Sequence, residues 1–285
     1  MDARTGKKIR MGRLFDGESG RSLIVAYSHG ILAGPKPGIR TVPEMLRISD
    51  QLSRAEGLMI APGMVTRLES SFVGRDRPSL VVHVDWQNYS RDVLPPAGDG
   101  VVAGIARVED VAAAGADAIM TYMFLGQQAP ELERAEIERN AAFARECDRH
   151  GLVLMIEPRS ARERSIPEDK TSTEIMSLYC RIAAEIGADI VKCPWPGSAE
   201  RFAPVAETCP APVLVAGGSR KDNPRVALQQ AADAIAAGAA GLVFGRNIYQ
   251  HADPRRALDA FRAIVHEGQS VDSAAAIAEP ATGKE

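Results

Sequence analysis

Short apolar runs recur along the chain, each followed by a polar loop and then by a stretch whose apolar residues return at helical spacing. Eight of these runs are predicted to be strands: 22–27, 57–61, 80–85, 117–123, 152–157, 189–193, 212–216 and 241–245. Three begin directly after a glycine turn: Ala114-Gly115-Ala116-Asp117, Ile186-Gly187-Ala188-Asp189 and Ala237-Gly238-Ala239-Ala240. Glycine just past a helix supplies its left-handed cap, so the next strand can start at once. Helices are predicted over 131–150, where Gly151 ends the run, over 173–186, where Ile175, Tyr179, Ile182 and Ile186 share a face, and over 224–237, which opens on a proline. Alternating strands and helices imply a parallel sheet with right-handed crossovers. Eight units favour closure into an α/β (β/α)8 TIM barrel over an open doubly wound sheet, and the first strand is not followed by G-x-G-x-x-G.

The barrel is assigned to residues 21–267. Residues 1–20, polar and glycine-spotted, read as a peripheral N-terminal extension, and 268–285 as a small-residue C-terminal tail. Lys7, Lys8, Arg10 and Arg13 read as a solvated edge. The chain has 285 residues and a net charge of −3, with 45% apolar and 25% charged residues, the mixture of a soluble globular protein. No basic stripe interleaved with aromatics points to nucleic acid. No apolar run has the length of a membrane span or of a signal-peptide core, so the expected location is the cytoplasm. Cys147, Cys180, Cys193 and Cys209 show neither C-x-x-C pairing nor zinc-ligand spacing, so no metal site is expected.

A barrel of this kind carries its chemistry where the strands end. Lys192 is the sharpest signal there, because it lies within the apolar run 188–193. A lysine stripped of hydration makes a neutral amine accessible, which is what capture of a carbonyl requires. The plainer reading is a structural ion pair with Glu157, which ends the neighbouring strand close enough to share its cavity. Glu157 could equally move protons or hold a water. Strand alternation turns Cys193 away from the interior. After the seventh and eighth strands stand Gly217-Gly218-Ser219 and Gly245-Arg246-Asn247. Glycine lets backbone N–H groups approach an anion, these two loops commonly bind phosphate in barrels, and Arg246 adds charge; the alternative is a pair of ordinary tight turns. His29 and Ser28 follow the first strand, Asp85 and Asn88 the third, Arg159 the fifth. His29 is a catalytic candidate, and Ser28, Asp85, Asn88 and Arg159 are candidate substrate ligands. His83, which alternates with Asp85, is read as structural, with His150, His251 and His266. The charged segment 159–171 is a candidate lid.

These residues and their neighbours resemble the archaeal-type class I fructose-bisphosphate aldolases and the autoinducer-2 phosphate aldolase/thiolase proteins over roughly residues 6–267. The resemblance runs from Lys7-Lys8-Ile9-Arg10 and His29-Gly30 through Ala188-Asp189-Ile190-Val191-Lys192 to Cys209-Pro210-Ala211-Pro212-Val213, Ala216-Gly217-Gly218 and Gly245-Arg246-Asn247-Ile248-Tyr249-Gln250. It implies a Schiff-base lysine at Lys192, phosphate turns at Gly217-Gly218 and Gly245-Arg246, no cofactor, and a homo-oligomer such as a ring or decamer. Ser28 stands where the family usually has aspartate, and Glu157 where the fructose-bisphosphate members have a tyrosine. The Glu157-Pro158 pair instead resembles tagatose-bisphosphate and sulfosugar-phosphate aldolases, and Asp85-Trp86-Gln87-Asn88 departs from the usual small-residue turn.

The expected activity is a metal-independent aldol or retro-aldol reaction on a phosphorylated sugar, with Lys192 as electron sink. Two rivals differ in kind: a thiolase-like acyl transferase acting on a phosphorylated dione through Lys192 and His29, and a barrel that binds phosphosugar without turning it over, which Ser28 in place of aspartate would permit.

Overall fold

A computed structural model describes residues 2–91, 93–94 and 100–279. Residues 280–285 of the expected tail lie outside the described residues. Ten strands follow in chain order: β1 (Ser22–Ala26), β2 (Gly57–Ile60), β3 (Ser79–His83), β4 (Asp85–Gln87), β5 (Val102–Gly104), β6 (Ala118–Leu125), β7 (Val153–Ser160), β8 (Ile190–Cys193), β9 (Val213–Ala216) and β10 (Gly241–Phe244). Eight of them close a barrel in the order β1-β10-β9-β8-β7-β6-β3-β2, every pair parallel. All eight predicted strands are present, and so are the helices Pro130–His150, Thr173–Ile186 and Pro224–Ala236.

Pleating sorts each strand into two faces. Ile24, Met59, Val81, Met120, Met155, Ile190, Leu214 and Val243, one from each strand, fill the interior. Val25, Leu58, Val82, Ile119, Ile156, Val191, Val215 and Leu242 face the surrounding helices. Cys193 belongs to this outer set, as alternation required, and all four cysteines are buried free thiols. The interior is therefore a packed core through its middle layer, and Lys192 and Glu157 stand above it.

Two departures from expectation bear on the site. The third predicted strand breaks at Val84, which turns outward into the wall, and Asp85 opens a two-stranded hairpin of β4 with β5. The N-terminal segment is no loose extension. Ala3–Leu14 is a helix that closes the lower mouth of the barrel, with Leu14 fully buried among the interior side chains. Lys7 bonds Asp148 and Asp189, Arg10 bonds the carbonyls of Ala116 and Gly151, and Arg13 pairs with Asp117. Of the basic residues read as a solvated edge, Lys7, Arg10 and Arg13 thus bond carboxylates and carbonyls near the strand starts, and Lys8 is exposed. The helix Val271–Ala278 likewise buries Ala274, Ala275 and Ala278 against the body. None of the described helices is long and apolar enough to cross a membrane.

Candidate active site

β7 and β8 run in a register that matches Met155 with Ile190 and Ile156 with Val191, so the next inward pair is Glu157 and Lys192. Lys192 Nζ lies 2.6 Å from Glu157 Oε2, and the two residues are 7% and 2% exposed. Burial weakens the screening of this pair by water, so the two charges act on each other more strongly than at the surface. Arg159 donates to the other oxygen, Oε1, at 3.2 Å. Burial pushes the Glu157 carboxyl upward, but Lys192 and Arg159 together outweigh it and hold the group below the usual carboxylate range. Glu157 is accordingly a carboxylate clamped between two cations, placed to take a proton from the amine and to return one.

Arg159 is engaged a second time. Its Nε donates to Glu163 at 2.8 Å, and its second terminal nitrogen also meets that carboxylate. Burial opposes the guanidinium charge, and Glu163 and Glu157 override it. With both faces committed to protein carboxylates, Arg159 orients Glu157, a role different from the substrate ligand expected. The candidate lid beyond it is pinned. Ser160 donates to Asp169 at 2.6 Å, Arg162 pairs with Asp169, and Pro167–Lys170 forms a short 3-10 turn.

The register also matches Tyr122 of β6 with Glu157. Tyr122 lies in the interior cluster and is missing from the sequence-based candidates. Burial first, and then the Glu157 charge, raise its phenol well above the ordinary range, so it is a neutral hydroxyl. A tyrosine, a glutamate and a lysine therefore stand in one row across three adjacent strands.

His29 follows β1, with its ring 5.7 Å from that of Tyr249. Burial, with Arg246 and Lys192 adding to it, lowers the imidazole from 6.5 to about 3, so His29 is neutral at physiological pH. Its Nδ1 is enclosed and has no protein partner. Arg246 begins the short helix after β10, and its Nε is likewise enclosed and unpartnered. Buried polar atoms are normally satisfied, so two such atoms at one rim mark where a ligand would bond.

The glycine turns have packing reasons of their own. A Cβ on Gly245 would lie 2.4 Å from the Ala26 carbonyl oxygen and 2.6 Å from Cε1 of His29. Only glycine lets β10 pass the histidine so closely. Gly218 has φ +68°, in the left-handed region. Asn247 ties the two turns together: it accepts from Lys221 N at 2.8 Å and donates to the carbonyls of Gly217 and Ser219 at 3.2 and 3.3 Å.

Two expected ligands are spent internally. Asp85 is fully buried; its Oδ1 meets His83, and its Oδ2 accepts from Thr121 Oγ1, Tyr122 N and Arg139 at 2.6, 2.8 and 2.8 Å. Burial alone would raise this carboxyl, but His83, Arg139 and Thr121 hold it below the usual range. Asn88 accepts from Val101 N at 2.7 Å and fastens the hairpin. The break at Val84 turns the chain into the β4–β5 hairpin, and there both side chains meet protein groups. Ser28 does reach inward: its Oγ lies 3.1 Å from Nδ1 of His83, a residue read from sequence as merely structural.

The family model for DeoC/LacD family aldolases matches residues 24–251. An uncharacterized aldolase of Saccharolobus solfataricus is 30% identical over 269 residues, 94% of this chain and 97% of the relative. A 2-amino-3,7-dideoxy-D-threo-hept-6-ulosonate synthase of Archaeoglobus fulgidus is 31% identical over 264 residues, 92% of this chain and 91% of the relative. Among solved structures, a Schiff-base-forming fructose-1,6-bisphosphate aldolase superposes with a TM-score of 0.75 at 25% identity, covering 91% of this chain and 99% of that one.

Proposed function

We propose, for a chain that belongs to the DeoC/LacD family of aldolases and is a class I, metal-independent lyase, that Lys192 is the residue that forms the imine and that the carbonyl substrate is a phosphorylated ketose. The observation that carries this reading is the enclosed Lys192–Glu157 pair, 2.6 Å apart in the upper layer of the barrel. In the reaction the Lys192 ammonium gives a proton to Glu157, and the free amine adds to the ketone. Glu157 returns that proton to the carbinolamine hydroxyl, which leaves as water. The resulting iminium accepts the electron pair of the breaking C–C bond and becomes an enamine. Arg159 keeps Glu157 oriented through both steps.

Phosphate is assigned to the rim formed by Gly217, Gly218, Gly245 and Arg246. The unpartnered Nε of Arg246 supports this, as does the phosphorylated substrate named for the similar fructose-1,6-bisphosphate aldolase. Holding phosphate at the rim fixes the reacting carbons over Lys192, so remote binding lowers the barrier of the chemical step. The reading takes the enzyme as a cytoplasmic homo-oligomer. Borohydride reduction with fructose 1,6-bisphosphate or dihydroxyacetone phosphate tests it: a mass adduct on the peptide carrying Lys192 is expected, with none in Lys192→Ala. An adduct on another lysine, or full turnover by Lys192→Ala, rejects it.

A further inference from the structure

Ser28, His83 and Asp85 form an unbroken buried chain. Ser28 Oγ meets His83 Nδ1 at 3.1 Å, and His83 Nε2 meets Asp85 Oδ1 at 2.9 Å. The three residues are 6%, 1% and 0% exposed. They come from separate places: Ser28 from the end of β1, His83 from the end of β3, and Asp85 from beyond the break at Val84. β2 lies between β1 and β3 in the barrel, so the chain spans it.

The direction of the hydrogen bonds follows from Asp85. Held as a carboxylate, it can only accept, so His83 Nε2 carries a hydrogen toward it. Thr121, the Tyr122 amide and Arg139 fix its other oxygen, and His83 packs edge-on against Tyr122 at 5.4 Å between ring centroids. The imidazole is thus locked in one orientation. Its neutral form offers the Nδ1 lone pair to the Ser28 hydroxyl hydrogen, which leaves the serine oxygen free to accept. Ser28 borders a rim recess of about 580 Å³ with Ile31, Ile39, Thr41, Met45 and Met64. The same serine therefore touches the enclosed imidazole on one side and an open recess on the other.

We propose that Ser28, His83 and Asp85 are a proton relay for the substrate hydroxyl whose oxygen becomes the carbonyl of the departing aldehyde. The proposal rests on the aldolase reading above and divides its proton work. Glu157 serves Lys192 and the carbinolamine, and the relay serves the bond-breaking step. As the C–C pair moves into the iminium, the β-hydroxyl gives its proton to Ser28 Oγ, and Ser28 gives its own to His83 Nδ1. The imidazolium so formed is held by the Asp85 carboxylate, and addition reverses each transfer. Ser28 is the group that touches substrate; His83 and Asp85 are positioning residues that act through it. His83 packs against Tyr122, which stands in register with Glu157, so the relay lies beside the Lys192–Glu157 pair.

The test uses the full-length enzyme with fructose 1,6-bisphosphate in single turnover, alongside borohydride trapping. Ser28→Ala, which leaves His83 and Asp85 in place, and His83→Asn, which keeps a polar atom near the Nδ1 position, should each slow cleavage by roughly 10²–10⁴-fold with KM within a few-fold. The double variant should be no slower than the worse single one, because both break one path. Trapping on Lys192 should persist, since imine formation precedes the relay. The solvent deuterium isotope effect of the wild type should fit two protons in flight and collapse to one in Ser28→Ala, and Ser28→Thr should restore much of the rate. A staple between β1 and β3 would change stability without moving the proton count. A near-wild-type rate in Ser28→Ala, multiplying effects in the double variant, or an unchanged isotope effect overturns the relay. A wild-type enzyme that forms no adduct on Lys192 overturns instead the reading beneath it.

Discussion

Glu157→Gln keeps the shape of the side chain and removes the charge that faces Lys192. Breaking a buried ion pair from one side strands the other charge and costs roughly 3–5 kcal/mol. Lys192 is only 7% exposed and its counterion is 2.6 Å away, so the loss at pH 7 should fall in that range. Arg159 keeps Glu163 as a partner, which confines the damage to the lysine. On the acid side the sign is fixed by the depressed carboxyl of Glu157. Its contribution is fully present above the unfolded value, near 4.3, and is lost as pH falls through the lower folded value; the variant should lack that loss. Urea unfolding at pH 3 and 7 measures both points. In parallel, kcat should fall roughly 10²–10⁴-fold while borohydride still captures substrate on Lys192. A negligible deficit at pH 7, together with a near-wild-type kcat, would refute both the pairing argument and the proton role.

Arg246→Ala should raise KM by about 10–150-fold, the equivalent of a charge-assisted contact worth roughly 1.5–3 kcal/mol, with kcat changed little. An equal rise for a substrate lacking phosphate would remove Arg246 from the phosphate site. His29, lowered to about 3, should make the protein acid-sensitive: its contribution is complete above about pH 6.5 and is lost progressively as pH falls toward the folded value. The slope cannot exceed about 1.4 kcal/mol per pH unit, and water at the half-buried ring reduces it. Unfolding curves at pH 7 and 5 should converge for His29→Asn; the wild-type slope persisting in that variant would place the sensitivity elsewhere.

The features legible in the sequence were those set by local periodicity. Eight apolar runs and the glycine stops between them gave the barrel, and pleating placed Lys192 inward and Cys193 outward. Glu157 could be paired with Lys192 because both sit at the same height on adjacent strands. What escaped depends on contacts between distant segments. Alternation put His83 and Asp85 on one side of a strand, but nothing local announced that Ser28 would complete the chain from 55 positions away. Asp85 looked like a ligand because the break at Val84 is invisible in a run of favourable strand residues. Arg159 looked free because its two carboxylate partners are fixed only once β7 extends past the rim. The helix Ala3–Leu14 reads as an extension because its work is polar: its bases answer to groups more than 100 positions later.

That closure of the lower mouth sets a timetable for the nascent chain. Lys7 meets Asp189 across 182 positions, and β1 gains its second neighbour only when β10 has been made, with Ser22 opposite Gly241. At synthesis rates of about 5–20 residues per second, β1 waits tens of seconds with one edge open, covered on the other side by the earlier β2. Contacts this distant in sequence slow folding and lengthen exposure to misassembly. A first helix that is basic and poor in apolar surface suits such a delay. Its partners at the strand starts, Ala116, Asp117, Gly151 and Asp189, all lie more than 100 positions after it in the chain.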